Sequence, residues 1–334
     1  FPVFGGWLRN VADEGMDTSW PQARALARRS EALGYDLTLI AELFLNDIKG
    51  IAAPSQDAWT LASAVAAVTE RLELMIAVRP SFHNPAIFAK QAACLDQISG
   101  GRGARSVVSS WWADEARRYG VRFDAHDDRY ARTAEWLAVL DGAWRGGSFS
   151  FAGRHYQVED LIVSPRPLRS PRPTLYAGGE SEAAKGLIAG ACDAYVMHGD
   201  PPERVAPKIA DMRRRRAALG LPPMQYGLAA YVIVRDTPAQ AQAELARITD
   251  VSPGSPGYAN YREWIAHTQL EQQVSLADYS VSNRGLRAEL VGTPETVAGR
   301  IRGLAAAGVD LLLLQCSPQL EEMERFAAQV MPLL

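Results

Sequence analysis

Cysteine and histidine are scarce in this chain of 334 residues, which has three of the first and five of the second. Cys94, Cys192 and Cys316 lie far apart, and none shares a metal-like spacing with a histidine. Each sits in an apolar segment, so buried thiols in a reducing, cytoplasmic setting are expected rather than disulfides. No HxH or HExxH joins His83, His126, His155, His198 and His267, so no metal site is expected. No apolar run reaches ~18 residues and no signal peptide is evident, so no membrane span is expected. The chain begins at Phe1 rather than Met, and a few residues are expected to have been removed or left out. An excess of positive charge is also missing. The net charge is −3, which gives no reason to expect nucleic acid or a membrane surface. The run Arg213 to Arg216 is the local exception. It reads as a solvated helix end, where cations favour the dipole.

Several catalytic patterns are absent too. No Ser, His and acid set has the spacing of a nucleophilic triad. No GxGxxG follows the first apolar run, as an open dinucleotide-binding sheet would need. Acids near predicted strand ends are sparse, mainly Glu42 and Glu180, so paired-carboxylate hydrolysis has weak support.

What the chain does have is apolar residues, 48% against 22% charged, enough for a large globular core. Apolar runs at 3–8, 37–43, 72–78, 104–110, 173–179, 194–199, 226–236 and 310–317 read as strands. Helical patterns follow at 20–34, 58–70, 84–101, 126–144, 181–192, 201–220, 237–248, 294–308 and 318–334. Alternating β and α means parallel strands. Eight such units in one domain, 1–334, predict an α/β fold, a (β/α)₈ TIM barrel with insertions. The segment 148–171 reads as a small hairpin or flap. The segment 250–292 reads as a mobile lid after the seventh strand, since long insertions often cover binding sites.

The stretch LYAGGESEAAKG, residues 175–186, puts two glycines, an acid and a serine where a strand hands over to a helix. Plain turn chemistry explains it, because glycine permits φ > 0 and serine caps helices. An anion cradle explains it as well, because helix N-termini expose N–H groups and a missing Cβ admits a phosphate. The other predicted strand ends offer Trp7 and Asn10, Glu42, Arg79 with Ser81 and His83, Ser109 to Trp112, His198, Tyr231 and Gln315 to Ser317. That set is poor in chemistry of its own but rich in arginine and aromatics. It suits a cofactor that carries the hard chemistry while the protein binds and orients it.

Five stretches carry a resemblance in order and spacing: VRPSFHNPAIFAKQAACLDQISGGR (78–102), VVSSWWADEARRYGV (107–121), HDDRYARTAEWL (126–137), YAGGESEAA (176–184) and RGLRAELVGTPETVAGRI (284–301). Along essentially its whole length the chain resembles the bacterial luciferase-like flavin-dependent monooxygenases, particularly their alkanesulfonate- and dimethylsulfone-oxidising branch. The resemblance implies a barrel with FMN at the C-terminal face. Gly179, Glu180 and Ser181 match the phosphate turn. Arg129 and Tyr130 match a flavin-contact pair, Glu115 a flavin-contacting acid, and Glu42 a position near the ring. Ser106 stands where many relatives carry Asn. Arg284 matches a lid arginine, with Arg287 beside it. On the bland reading, Glu115 is a solvated loop acid, Arg129 and Tyr130 a surface ion pair and a packed ring, and Arg284 and Arg287 surface arginines.

The resemblance also implies the chemistry. FMN arrives reduced, as FMNH2, from a separate NAD(P)H-dependent flavin reductase. It reacts with O2 to a flavin (hydro)peroxide that oxygenates a small substrate, expected to be an alkanesulfonate- or sulfone-type organosulfur compound with C–S cleavage. Arg284, His198, Tyr231, Trp7 and Arg79 are the candidate catalytic residues. Sulfonate-cleaving relatives place an Arg and a His on the seventh strand where this chain has Ala229 and Tyr231. A relative's Cys corresponds to Ser55, and its Trp to His198. His198 reads equally as a satisfied strand-end histidine. A homo-oligomer, dimer or tetramer, is expected from the resemblance. The alternatives are a deazaflavin-dependent hydride-transfer enzyme on the same fold and a non-catalytic flavin-binding barrel.

Overall fold

The computed structural model describes residues 3–9, 16–255, 258, 261, 264–266 and 274–334. Seven parallel strands build the main sheet: β1 (Leu37–Ile40), β2 (Glu73–Val78), β3 (Gly103–Val107), β6 (Leu175–Ala177), β7 (Ala194–Met197), β8 (Gln225–Tyr231) and β11 (Leu311–Gln315), hydrogen-bonded in that order. Helices follow the strands and cover the outside. β4 (Phe149–Ala152) and β5 (Gln157–Leu161) pair antiparallel, so the 148–171 insertion does form a hairpin.

The helices start where the sequence supplies acceptors. Ser19, Asp57, Asn84, Ser181, Thr237 and Thr293 each accept a backbone N–H of the first turn through a side-chain oxygen. Each such cap is worth about 1 kcal/mol. The strands are short and apolar because both faces are covered. Inside the ring, Met75, Ala104, Tyr176 and Ala194 pack with Leu37, Leu39, Val196, Leu311 and Leu313. Outside it, Phe88, Trp136, Leu140, Trp144, Ile188 and Ile209 belong to the larger core between sheet and helices. Burying each large side chain contributes roughly 1.5–3 kcal/mol.

Four expectations need correction. Residues 3–8 are turns and bends rather than a first strand. Gly5 and Gly6 stand at φ +70° and +128°, and a Cβ on Gly5 would lie 2.8 Å from the Met16 carbonyl oxygen. Left-handed backbone cannot extend as a strand, so β1 and β11 do not pair and the barrel is nearly closed. Trp7 nevertheless sits against this seam, where its Nε1 donates to Oε1 of Gln319 at 3.3 Å. The run 226–236 divides into β8 and β9 (Ile233–Val234), and β9 pairs with β10 (Val291–Gly292) instead of the main sheet. Cys94 is exposed, while Cys192 and Cys316 are buried. Its helix, Pro85–Ile98, turns that position outward together with Ile87 and Ile98. Arg216 is buried and donates to the carbonyls of Ala189, Cys192 and Pro222, so the arginine run is only partly a solvated helix end.

The expected lid lies partly outside the described residues, as do Asn10 and His267. Its described end holds the helix Leu276–Tyr279 and a 3₁₀ segment, Ser282–Ala288. That segment presses onto the end of β8. A Cβ on Gly285 would lie 2.6 Å from the Tyr231 amide nitrogen, and one on Gly199 would lie 2.5 Å from the Arg284 carbonyl oxygen. Among the described residues no helix is long and apolar enough to cross a membrane.

Candidate functional site

A cavity of about 310 Å³ opens at the C-terminal ends of the strands. That is the low end of the range typical for small-molecule sites. Three groups of residues shape it.

The first is the turn after β6. Ser181 caps the helix Glu182–Ala191, and its Oγ accepts from the Ala184 N–H at 3.2 Å. Neither Gly178 nor Gly179 adopts a positive φ. Their requirement is close packing instead. A Cβ on Gly178 would stand 2.6 Å from the Val196 carbonyl oxygen, and one on Gly179 would stand 2.6 Å from Ala184 Cβ and 3.3 Å from the Tyr130 hydroxyl. Gly178, Gly179 and Glu180 line the cavity, as do Arg129, Tyr130 and Ser110. Arg129 donates to the carbonyl oxygens of Ser109 and Asp124 at 3.2 and 3.1 Å. Burial raises the Tyr130 phenol above its usual range. Ser110 is held at φ +35°, and its buried Oγ has no hydrogen-bond partner among the described residues. A helix N-terminus, a glycine cradle, an arginine and an unpartnered hydroxyl fit the phosphate of FMN. Ser181 itself is turned to the helix and is not among the lining residues.

The second group surrounds Arg79 at the end of β2. Its backbone N–H donates to Glu42 Oε2 at 2.8 Å, its Nε to the same oxygen at 3.4 Å, and its Nη1 to Glu115 Oε2. The guanidinium lies 4.0 Å from the Phe82 ring centroid and 5.2 Å from that of Phe44, within cation–π range. His83 Nε2 lies 2.7 Å from Glu42 Oε1. Glu115 also accepts the N–H groups of Phe44 and Leu45 at 2.6 and 3.1 Å. It is fully buried and does not line the cavity. It is therefore neither a solvated loop acid nor placed to touch a ligand, and it acts through Arg79. Arg79, Glu42 and Ser106 do line the cavity, and Arg79 Nη2 has no partner among the described residues. These are the polar groups available to the edge of a flavin ring.

The third group joins the turn to the inserted segment. Arg284 Nη2 donates to Glu180 Oε1. Lys208 Nζ donates to Glu180 Oε1 at 3.0 Å and to Asp200 Oδ2 at 2.7 Å. Arg284 is only 1% exposed, so it is not a surface arginine. It lines the cavity at φ +53°, and its Nε and Nη1 have no partners among the described residues. Burial opposes ionisation of Glu180, but His198, Arg284 and Lys208 hold its carboxyl down to about 2. His198 stands on the cavity wall, and burial together with the Arg284 charge pushes its imidazolium down to about 4. It is neutral around pH 7.

Trp7 completes the wall. Tyr231 does not. It is buried behind Gly285, packed with Trp7 and Leu8, and backs the Arg284 segment. Arg287 donates to Asp278 Oδ2 at 2.7 Å. Sequence reasoning missed Asp200, Lys208, Arg9 and Asp47. The strand-end survey stopped at His198, two residues short of Asp200. Lys208 lies inside an amphipathic helix, where a lysine ordinarily faces solvent. Arg9 donates to the Asp47 carbonyl at 2.8 Å and carboxylate at 2.7 Å, lies 4.3 Å from the Tyr279 ring centroid, and lines the cavity mouth. No local pattern marked that pair.

Comparisons with known proteins bear on the family and the fold. The family model described as luciferase-like monooxygenase matches residues 4–311. A protein of Pseudomonas putida named FMNH(2)-dependent dimethylsulfone monooxygenase is 35% identical, over 99% of this chain and 94% of its own. One of Pseudomonas fluorescens (strain Pf0-1) with the same name is 32% identical, over 99% of this chain and 92% of its own. A solved structure of a riboflavin lyase with modified FMN and riboflavin matches the fold with a TM-score of 0.81 at 22% identity, covering 93% of this chain and 83% of its own.

Proposed function

Because the chain belongs to the luciferase-like monooxygenase family, we propose that it is a two-component, reduced-FMN-dependent monooxygenase acting on a small organosulfur compound. The substrate is of the sulfone or alkanesulfonate type and undergoes C–S cleavage. The relatives named above support the substrate class. A separate NAD(P)H-dependent reductase supplies the FMN. When bound, reduced FMN supplies the electrons that activate O2.

The protein's own residues bind, orient and exclude water. Gly178 to Glu180, the N-terminus of the helix Glu182–Ala191, Arg129, Tyr130 and Ser110 hold the phosphate. Glu42, Arg79 and Ser106 hold the ring, with Glu115 fixing Arg79. Arg284 and His198 present donors to substrate oxygens, and Trp7 supplies an apolar wall. The inserted segment brings Trp264, Val274 and Tyr279 over the mouth, and shielding the site from water suppresses unproductive oxidation. The observation that carries the reading is the Arg284–Glu180 pair, which ties the insertion to the phosphate turn across one cavity.

The test supplies reduced FMN through a reductase and offers dimethylsulfone and a series of alkanesulfonates in air. O2-dependent release of sulfinate or sulfite is the expected result. Turnover that needs a reduced deazaflavin and no O2 would favour hydride transfer. Tight FMN binding without any turnover would leave a non-catalytic flavin binder.

A further inference from the structure

Arg284 offers donors to the cavity, but its charge is already matched. Its Nη2 donates to Glu180 Oε1 and lies 4.0 Å from Asp200 Oδ2. Lys208 binds the same two carboxylates. Arg287, the next cation, is paired with Asp278. Three cations thus face three carboxylates, beside a neutral imidazole. Across the cavity Arg79 faces two carboxylates, Glu42 and Glu115. Among the described residues, neither of these walls has positive charge to spare.

Asp200 is the informative member. It is 1% exposed, and its Oδ1 has no hydrogen-bond partner among the described residues. A buried, half-satisfied carboxylate costs stability. Glu180 alone would hold Arg284, and Asp200 pairs with Lys208 at 2.7 Å, so the two buried cations of this wall are matched one for one by carboxylates.

Resting on the organosulfur reading above, we infer that Asp200 and Glu180 are specificity-determining carboxylates that reserve this wall for an uncharged sulfonyl group. A sulfone oxygen is a neutral acceptor, and the free N–H groups of Arg284 satisfy it. A sulfonate would give up its hydration and find no uncompensated cation among the described residues of these two walls. The charge count is a device of exclusion, because it penalises the wrong ligand more than it helps the right one.

The test compares dimethylsulfone with methanesulfonate. Both carry a CH₃–SO₂ group, and they differ by a methyl against an anionic oxygen. Calorimetry with FMN present and O2 absent measures binding without turnover, in the wild type and in Asp200→Asn. The wild type is expected to bind the sulfone at least tenfold more tightly. D200N is expected to tighten methanesulfonate at least tenfold while changing the sulfone less than threefold. A purely structural aspartate would weaken both ligands together, and that result would overturn the inference. Should D200N fail to fold, the wild-type ratio decides, because methanesulfonate binding as tightly as the sulfone contradicts the proposal. If neither ligand binds the wild type, the organosulfur reading falls. A gain of methanesulfonate binding in D200N would then still support the charge inference, and no gain would overturn it.

Discussion

Arg284 and Glu180, 104 residues apart in the chain, form a buried ion pair whose arginine stands in the left-handed region at φ +53°. The pair makes one site out of two segments. Glu180 belongs to the turn that would hold a phosphate, and Arg284 to the insertion that leans over it. Breaking a buried pair costs about 3–5 kcal/mol where the remaining charge is left alone, and less here, because Lys208 still binds Glu180. Arg284→Ala is expected to lower unfolding stability by about 1–3 kcal/mol in urea titrations and to cut kcat/KM at least a hundredfold. Arg284→Lys should recover most of the stability but little of the activity, because the planar fork of donors is lost.

Gly179→Ala tests the cradle. The added Cβ would meet Ala184 Cβ at 2.6 Å and the Tyr130 hydroxyl at 3.3 Å. The helix or the tyrosine must shift, costing about 1–3 kcal/mol. FMN affinity, measured by fluorescence quenching, should fall at least tenfold. Gly186→Ala in the same helix meets nothing within 4 Å and should leave FMN affinity nearly unchanged while raising stability by about 0.5–1 kcal/mol, as alanine replaces a helix-interior glycine.

Glu115→Gln separates support from contact. The carboxylate serves Arg79 and two backbone N–H groups. An amide oxygen cannot replace both carboxylate oxygens. Stability should fall by about 1–3 kcal/mol, with a smaller change in FMN affinity than Arg79→Ala produces. A larger loss of FMN affinity in Glu115→Gln than in Arg79→Ala would show that Glu115 does more than hold Arg79.

The pH dependence follows from His198 and Glu180. His198 titrates near 4 in the folded chain against an ordinary 6.5. The unfolded chain therefore binds the proton first, and stability falls as pH drops from 6.5 towards 4. Glu180 is depressed to about 2 from 4.5, so its contribution is present above 4.5 and is lost as pH falls towards 2. His198→Asn should flatten the decline between 6.5 and 4, read from melting temperatures across that range, and shrink the lower limb, because the protonated imidazole is one of the charges that hold Glu180 down.

Much of this was legible because it is local. The helix His126–Trp144 is read in full from its apolar spacing. The turn at Gly178 to Ser181 announces itself by composition, although its glycines serve close packing rather than positive φ. The first strand misled because an apolar run hides the backbone demand of Gly5 and Gly6. Burial of Glu115 was invisible, since its partners Phe44 and Arg79 lie 71 and 36 residues away. The Asp200–Lys208 pair spans eight residues of strand end and helix, a spacing that has meaning only once the turn between them is known. Local pattern placed the walls of the site, and long-range pairing set their charge.

The most direct measurement is anaerobic loading of the protein with reduced FMN, followed by stopped-flow mixing with O2, with and without dimethylsulfone. The account predicts a transient absorbance belonging to neither reduced nor oxidised FMN, decaying faster when the sulfone is present. Oxidation at the rate of free reduced FMN, with no transient and no effect of the sulfone, would contradict it.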